Sequence, residues 1–265
     1  LRPGLDVIKK HKGLHEFMQW NKTIFTDSGG FQMLEPSFFI KKNENGIEFR
    51  NPFDGAKLFA TPELIADIQQ TIHSDVAMVL DDVVPHDATR KQAEEAVKNT
   101  TTWAQRFLKA HHDKKQLVFG ITQGGMFKDL RKQSAKEIHA LNTDGVAIGG
   151  LCIGEDLKTM HEMLKASLSQ IDAKKPRYLM GVGSPVDLLE SIEAGVDIFD
   201  SAMPTRNARH NELFSSHGKI TIDKKEFCND EQPIDKDCSC IVCKNYTRAY
   251  LHHLARCGEE TGQRL

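Results

Sequence analysis

Short apolar segments alternate with amphipathic stretches along the first 200 residues of the chain. The apolar segments have the length and side chains of buried strands, and they cover residues 23–26, 76–80, 117–122, 145–148, 177–181 and 196–199. Helical spacing of apolar residues fills most intervals, over residues 61–68, 88–111, 127–141, 156–171 and 185–194. Strands that alternate with helices are usually parallel neighbours joined by crossovers, so the pattern predicts an α/β fold.

Two parts of the chain break this alternation. Residues 41–59 contain Gly46 and Gly55, which predicts a β-hairpin inserted after the first strand. Residues 211–227 have the pattern of short antiparallel strands, and a helix is predicted near residues 245–262. We therefore expect a catalytic region of partial (β/α) barrel type over residues 1–210 and a small subdomain with a following helix over residues 211–265.

The number of strands leaves two interpretations open. A (β/α)₈ barrel needs eight strands and the pattern supplies six. Either the sheet is smaller and open, or the chain given lacks part of a barrel. The abrupt opening at Leu1 favours the second interpretation.

Composition narrows the class of protein. A chain of 265 residues with 39% hydrophobic and 27% charged residues is typical of a globular protein that buries one barrel-sized core. No apolar run approaches the roughly 20 residues that cross a bilayer, and the start has no signal-peptide pattern, so we expect a cytoplasmic protein. A net charge of −2 argues against a wholly basic nucleic-acid coat, but it is compatible with a local basic patch.

Carboxylates follow three of the predicted strands. Asp27 and Asp200 each come directly after a strand, where loops of parallel α/β folds form active sites. Two carboxylates there suggest a nucleophile and an acid/base group, although Asp27 is equally explained as a loop cap. Asp81 follows a strongly apolar strand, where a carboxylate is costly unless it is paired or used.

Other strand ends carry polar or glycine residues. Gln123 can donate and accept hydrogen bonds, which suits a purine edge, but it can also be a satisfied strand-end amide. The loop of residues 149–155 is rich in glycine, and its N–H groups can hold a carbonyl or a phosphate. Met180 is either a wall of a base pocket or core. Arg206 and Arg209 suit a phosphate-bearing substrate, with a solvated loop as the alternative.

Three cysteines form the strongest local signal. Cys238, Cys240 and Cys243 are spaced as ligands of a tetrahedral zinc ion, and a structural role is favoured because nothing indicates an open coordination position. From spacing alone, the fourth ligand can be His252, His253 or Cys257.

Taken together, these segments resemble the tRNA-guanine transglycosylases, which exchange the wobble guanine of GUN-anticodon tRNAs for a 7-deazaguanine base in queuosine biosynthesis. The resemblance runs from Leu1 to Leu265. It rests on Leu1-Arg2-Pro3-Gly4, Gly13-Leu14-His15, Thr26-Asp27-Ser28-Gly29-Gly30-Phe31-Gln32, Gly149-Gly150-Leu151, Tyr178-Leu179-Met180-Gly181-Val182-Gly183, Phe199-Asp200 with Pro204-Thr205-Arg206, and the zinc cluster with Arg248-Ala249-Tyr250-Leu251-His252-His253. It implies a (β/α)₈ barrel with an inserted zinc subdomain.

The resemblance also implies residue roles. Asp200 would attack the ribose C1′ to form a covalent aspartyl-RNA intermediate, and Asp27 would be the general acid/base. The purine would be held by Asp81, Gln123 and the backbone of Gly150 and Leu151, sandwiched by Phe31 and Met180, and supported by Ser28 and Glu155. The anticodon loop would be contacted by Arg206, Arg209 and Asp187.

The chain departs from the family pattern in two places. The family's N-terminal portion, with the first two strands, has no counterpart, which explains the count of six. The family's fourth zinc ligand is a histidine beyond residue 265, and His252 and His253 match a different motif. Because a six-strand piece exposes barrel edges, we expect the functional protein to be longer. A full-length product with the intact mass of 265 residues would contradict this.

The resemblance leaves open which base enters and whether the chain is catalytic. Ile153 is bulky where eukaryotic members have glycine, which favours the small aminomethyl base preQ1 over queuine, although Val83 is eukaryote-like. The alternative function is a non-catalytic RNA-binding subunit of a heterodimeric transglycosylase. The presence of Asp27, Asp81, Gln123 and Asp200 favours catalysis, and the family's habit suggests a homodimer.

Overall fold

Residues 2–265 are described by a computed structural model, and they form two compact units. One unit ends at Asp200 and the other comprises Ser201–Leu265. Within residues 2–265, no helix combines the length and the apolar character needed to cross a membrane.

A parallel sheet is the centre of the first unit. The strands of this unit are β1 (Phe25–Thr26), β2 (Phe39–Asn43), β3 (Gly46–Arg50), β4 (Lys57–Ala60), β5 (Val76–Met78), β6 (Leu117–Thr122), β7 (Gly145–Ile148), β8 (Arg177–Leu179) and β9 (Ile198–Phe199). Six of them form one curled parallel sheet in the order β1-β5-β6-β7-β8-β9. This sheet has the form of a half-barrel. The predicted α/β class and the six predicted strands are therefore confirmed, with β1, β5, β8 and β9 shorter than expected.

Two helices precede the parallel sheet, and the other helices of the first unit lie between its strands. The helices are α1 (Leu5–Lys10), α2 (Leu14–Met18), α3 (Gly30–Met33), α4 (Pro62–Ile72), α5 (Arg90–Ala110), α6 (Lys128–Ala140), α7 (Leu157–Leu168) and α8 (Pro185–Glu193). The Thr61 hydroxyl accepts the N–H of Leu64 and starts α4, as predicted. Thr89 and Gln92 form a reciprocal capping box that starts α5. The three short helices α1 to α3 were not predicted.

The segment predicted as a hairpin is a sheet of three strands. Strands β2, β3 and β4 pair antiparallel, so residues 57–60 add a third strand to the two of a hairpin. A second tight turn allows this, because the N–H of Asn51 donates to the carbonyl of Ala56 at 2.8 Å. Lys42 on β2 forms an ion pair of 2.5 Å with the buried Asp82, which lies just beyond β5. This pair connects the antiparallel sheet to the carboxyl end of the parallel one.

Apolar side chains cover both faces of the parallel sheet. Leu80, Trp103 and Ile121 are completely buried members of one continuous core. Strands buried on both faces are the rule for parallel sheets, and this explains why the predicted segments are apolar throughout. Strand β1 pairs with β5 only at Val76 and Ala77, so Met78 has no partner residue on β1. The Gln69 side chain takes that place, because its amide donates to the Met78 carbonyl and accepts the Met78 N–H.

The second unit has its own small core. It contains α9 (Met203–Arg209), β10 (Glu212–Ser215), β11 (Gly218–Thr221), a 3₁₀ turn (Lys225–Phe227), α10 (Ile241–Asn245), α11 (Arg248–Cys257) and α12 (Glu260–Arg264). Strands β10 and β11 pair antiparallel, which confirms the prediction for residues 211–227. The single helix predicted near residues 245–262 is instead two helices, because Gly258 adopts a left-handed conformation that ends α11.

Candidate active site

The predicted site residues of the first unit follow successive strands of one sheet. The residue or short segment after each strand is Asp27 after β1, Asp81 after β5, Gln123 after β6, Gly149-Gly150-Leu151 after β7, Met180 after β8 and Asp200 after β9. The carboxyl ends of parallel strands lie at the same edge of a sheet. All of these groups are therefore delivered to one side of the first unit.

Asp81 and Gln123 form the buried centre of this edge. The Gln123 amide nitrogen donates to Asp81 Oδ2 at 2.6 Å. Both residues are buried, and Gln123 Oε1 has no hydrogen-bond partner among the described residues. Gly149 lies against the same pair, because a Cβ there would come within 2.7 Å of Gln123 Nε2. An unsatisfied buried acceptor is costly, so this site is suited to a ligand that brings donors.

Burial changes the acidity of Asp81. Desolvation raises the pKa of its carboxyl group to about 7, and the negative charge of Asp27 adds to the rise. Gln123 opposes the rise by donating to the carboxylate. Near neutral pH, Asp81 is therefore divided between a neutral form that donates a hydrogen bond and an ionised form that accepts one.

Gly30 brings the first loop against Asp81. A Cβ at Gly30 would lie 2.8 Å from the Asp81 carbonyl oxygen and 2.9 Å from Asp81 Oδ1, so only glycine fits at this distance. The buried Ser28 hydroxyl accepts the Gly30 N–H at 3.3 Å and shapes the same turn. Phe31 follows with 54% of its surface exposed, which leaves its ring available to a ligand.

Asp27 and Asp200 lie within each other's electrostatic field. Asp27 retains solvent contact, but desolvation by the surrounding protein raises the pKa of its carboxyl group, and the Asp200 charge contributes to the rise. Asp200 is held through one oxygen only. The Tyr178 hydroxyl donates to its Oδ1 at 2.7 Å and the Gly181 N–H donates to the same atom at 2.8 Å. Asp200 Oδ2 is left free of described partners.

Tyr178 was missed by the sequence reasoning. It occupies an apolar strand, and its hydroxyl is the only polar group that could have identified it there. Burial, the hydrogen bond to Asp200 and the charges of Asp200 and Asp27 raise its pKa well above the ordinary value, so the phenol remains a donor.

The loop after β7 is held at both ends. Glu155 accepts the N–H of Cys152 at 2.5 Å and the N–H of Ile153 at 3.0 Å. Arg131 on α6 donates to the carbonyl oxygens of Gly149 and Gly150, at 2.6 and 2.7 Å. Arg131 was also missed, although helical spacing puts it with Leu130 and Ser134 among the buried residues of α6. Desolvation lowers its pKa to about 10, so it stays charged at neutral pH.

The remaining predicted contacts differ in exposure. Met180 is partly buried against the core. Asp187 is buried at the start of α8, where the Ser184 hydroxyl donates to it at 2.5 Å, so its contact with RNA stays a prediction. Arg206 and Arg209 are exposed on α9 of the second unit.

The three predicted zinc ligands lie together in the second unit. The sulfur atoms of Cys238, Cys240 and Cys243 all lie within 4.8 Å of one another. The Cys243 N–H donates to Cys240 Sγ at 3.5 Å and lowers the pKa of that thiol to about 7, which favours the thiolate form that binds metals. Among residues 2–265, neither His252, His253 nor Cys257 belongs to this group of ligand atoms. Three clustered thiols fit a zinc ion and supply three of its four usual ligands.

Comparison with known sequences assigns the arrangement to a family. A family model described as queuine tRNA-ribosyltransferase matches residues 1–265. The chain belongs to the queuine tRNA-ribosyltransferase family. This confirms the resemblance recognised from the motifs, and it makes the chain an enzyme of the pentosyltransferase class.

Curated relatives in this queuine tRNA-ribosyltransferase family are similar along almost the whole chain. Proteins named queuine tRNA-ribosyltransferase from Thiobacillus denitrificans and Dechloromonas aromatica are each 47% identical, with 100% of this chain and 72% of the relative aligned. One from Acinetobacter baumannii is 46% identical over 98% of this chain and 70% of its own length. This similarity includes both units.

Proposed function

We propose that this enzyme exchanges the wobble guanine of GUN-anticodon tRNAs for a 7-deazaguanine base through a covalent aspartyl-RNA intermediate. The observation that carries the proposal is the position of two carboxylates, Asp27 and Asp200, directly after β1 and β9 at the carboxyl edge of the sheet, where the Asp200 charge contributes to the raised pKa of Asp27. Retaining glycosidases use such a pair to attack an anomeric carbon and to move the proton of the leaving group.

Asp200 is the proposed nucleophile. Tyr178 and the Gly181 N–H both donate to Oδ1, and this fixes the carboxylate while Oδ2 remains free to attack. In the first step, an Asp200 oxygen bonds to ribose C1′ as the C1′–N9 bond breaks and its electron pair leaves with guanine. The product is an ester between Asp200 and the RNA.

Asp27 is the proposed general acid and base. Its raised pKa increases the fraction that carries a proton, and this proton neutralises the departing guanine. In the second step, the Asp27 carboxylate takes the N9 proton of the incoming base. N9 then attacks C1′ and releases Asp200 as a carboxylate, so charge and protons return to their starting positions.

The purine is held by the buried pair and the loop after β7. Asp81, Gln123 and the N–H groups of Gly150 and Leu151 present acceptors and donors to the purine edge, and we assign them this role. Phe31 and Met180 cover the ring faces, while Ser28 and Glu155 hold the surrounding loops. A pocket filled by a heterocycle excludes the water that would otherwise hydrolyse the ester.

The second unit carries a proposed zinc site and two of the proposed RNA contacts. We propose that Cys238, Cys240 and Cys243 hold one structural zinc ion, which cross-links this part of the chain when bound. The exposed Arg206 and Arg209, together with Asp187, are assigned to the anticodon loop. We further propose that the parallel sheet is part of a (β/α)₈ barrel. In this proposal, residues 1–210 are the catalytic region and residues 211–265 are the zinc subdomain. We also propose that the enzyme is a cytoplasmic homodimer.

Release of labelled guanine tests the reaction. The protein is incubated with tRNA carrying labelled wobble guanine, with and without preQ1, as wild type, Asp200→Asn and Asp27→Asn. We expect release that requires preQ1 and falls at least about 10³-fold in Asp200→Asn, since the nucleophile is lost. Asp172→Asn, an exposed carboxylate in the turn before β8, is the matched control. RNA binding without any release by the wild type would support the non-catalytic subunit instead.

The incoming base is proposed to be preQ1. Ile153 in the loop after β7 leaves less room for a large 7-substituent than glycine would. We expect wild-type kcat/KM to be higher for preQ1 than for queuine, and Ile153→Gly to shift the ratio toward queuine by roughly tenfold or more. Clear preference of the wild type for queuine would contradict the assignment.

A further inference from the structure

Arg131 is a buried charge that the proposed chemistry does not use. Its side chain is completely buried, and it donates to three backbone carbonyls, those of Gly125, Gly149 and Gly150, at 2.6 to 2.8 Å. No described carboxylate forms a hydrogen bond or ion pair with it. A buried guanidinium without such a partner is expensive to desolvate, and its three hydrogen bonds to backbone carbonyls are the interactions that offset this cost. The role of Arg131 therefore lies in the backbone that it holds.

The two carbonyls that Arg131 holds after β7 belong to consecutive peptide groups. In a planar trans peptide, the N–H points opposite to the C=O. The N–H groups of Gly150 and Leu151 therefore point away from the guanidinium. No described backbone or side-chain acceptor takes either of them. Two adjacent N–H groups are thus kept free and aligned.

These free donors lie beside the centre of the pocket. Gly150 has a positive φ of 63°, and a Cβ at this position would collide with Gln123 Oε1. Gln123 in turn donates to Asp81. The free donors, the unpaired Gln123 acceptor and Asp81 consequently form one polar surface, complementary to a ring that carries an oxo group next to N–H groups.

We propose that Arg131 is a positioning residue of the base site, which fixes the Gly149 and Gly150 carbonyls so that the next two N–H groups stay directed at the 6-oxo group of the purine. The inference rests on the proposed function, in which these N–H groups hold the purine edge. Arg131 itself does not touch the base. The three N–H donors of a lysine ammonium group share one nitrogen and lack the planar fork of a guanidinium, so lysine cannot hold the same carbonyls in the same geometry.

Comparison of two purines distinguishes a positioning role of Arg131 from a purely structural role. Guanine has the 6-oxo group and 2-aminopurine does not. Inhibition constants of both against tRNA are measured for wild type, Arg131→Lys and Arg131→Gln, with Arg90→Gln as the control, since Arg90 is exposed and pairs with Glu94. We expect guanine to bind about tenfold or more weakly to both Arg131 variants. We expect 2-aminopurine to change less than about threefold, the KM for tRNA to be unchanged, and Arg90→Gln to resemble wild type.

Each other outcome has a defined meaning. Equal losses for the two purines, no loss for either, or failure of both variants to fold would overturn the role of Arg131, because the residue would then serve the fold or nothing. Wild-type guanine exchange with unchanged discrimination in the variants rejects this inference alone. Absence of Asp200-dependent exchange in the wild type rejects the proposed function itself.

Discussion

Asp81 is the residue whose chemistry depends most on its surroundings. The same side chain at the surface would be ionised at every physiological pH. Here burial and the nearby Asp27 raise its pKa to about 7. A carboxyl group that is divided between two forms can accept from a guanine edge or donate to a ring nitrogen, which suits the proposed exchange of one base for another.

The raised pKa of Asp81 predicts a pH dependence of stability. The native state retains the Asp81 proton from about pH 4 to about pH 7, whereas the unfolded chain has lost it, so the wild-type free energy of unfolding falls as pH rises through this window. Asp81→Asn removes the effect and can still accept from Gln123. We expect the stability of Asp81→Asn relative to wild type to increase by up to about 1.4 kcal/mol per pH unit over that range, measured by urea unfolding.

Asp129→Asn provides the control for this measurement. Asp129 is exposed, and its hydrogen bond to Arg90 lowers the pKa of its carboxyl group, so removing it cannot produce the same trend. If the stability difference between Asp81→Asn and wild type does not depend on pH, the carboxyl group is not protonated in the native protein.

At the level of residues, the sequence predicted the side chains at strand ends. It missed side chains such as Arg131, which hold the site loops from a neighbouring helix. Asp27, Asp81, Gln123 and Asp200 were found because each follows an apolar segment. Arg131 was missed because the direction of a side chain on a buried helix face depends on packing between α6 and the loop after β7. Neither the partner of a long side chain nor the loss of its solvation is visible in a linear pattern.

At the level of elements, the loop after β7 is the most constrained segment. Gly150→Ala adds a Cβ at a positive φ and against Gln123 Oε1. We expect the KM for the incoming base to rise about tenfold or more, because the loop must move from its position beside Gln123. The left-handed backbone alone costs about 1 to 2 kcal/mol of stability.

Gly55→Ala is a control that distinguishes the effect of backbone strain from the effect of moving the loop after β7. Gly55 has a similar φ of 73°, but nothing lies within 4 Å of an added Cβ. We expect both variants to lose stability by chemical unfolding and only Gly150→Ala to change base kinetics. An equal change in KM would refute a specific role for this contact.

The sequence predicted the type of each long element correctly, but it predicted too few strands. Helices α4 to α8 were found from spacing, since their apolar residues recur on one face. The third strand of the antiparallel sheet was not predicted, because β4 has only four residues, three of them exposed, and is recognised only through pairing with β3. Pairing is a property of two segments and does not appear in either one.

At the level of the whole molecule, the three clustered thiols predict a metal-dependent second unit. Cys240→Ser should lower the bound zinc to well below one ion per chain by mass spectrometry. It should also lower the thermal stability of the protein, since structural zinc supplies folding free energy to small domains. Cys228→Ser is the matched control, because Cys228 is exposed and outside the thiol group. Full zinc content in Cys240→Ser would exclude this cluster as the site.

The order of the parallel sheet follows from simple rules, whereas the division of the molecule does not. Successive apolar strands joined by helices become neighbours, which is why β5 to β9 pair in chain order. The division between the two units falls directly after Asp200, at a point where the sequence shows no linker composition.

The carboxylates at the sheet edge also discriminate between approaching small molecules by their charge. Asp27, Asp200 and the ionised fraction of Asp81 present a negative potential to any free heterocycle. Cationic bases are attracted over neutral ones, and metabolites that carry carboxyl or phosphate groups are repelled before any hydrogen bond forms. A 7-deazaguanine with an aminomethyl arm should therefore inhibit more strongly than one with a carboxylate arm, and added salt should narrow the difference. In the proposed exchange, the charge of each base in the cellular pool, and not only the shape of the pocket, would then decide which base meets the RNA.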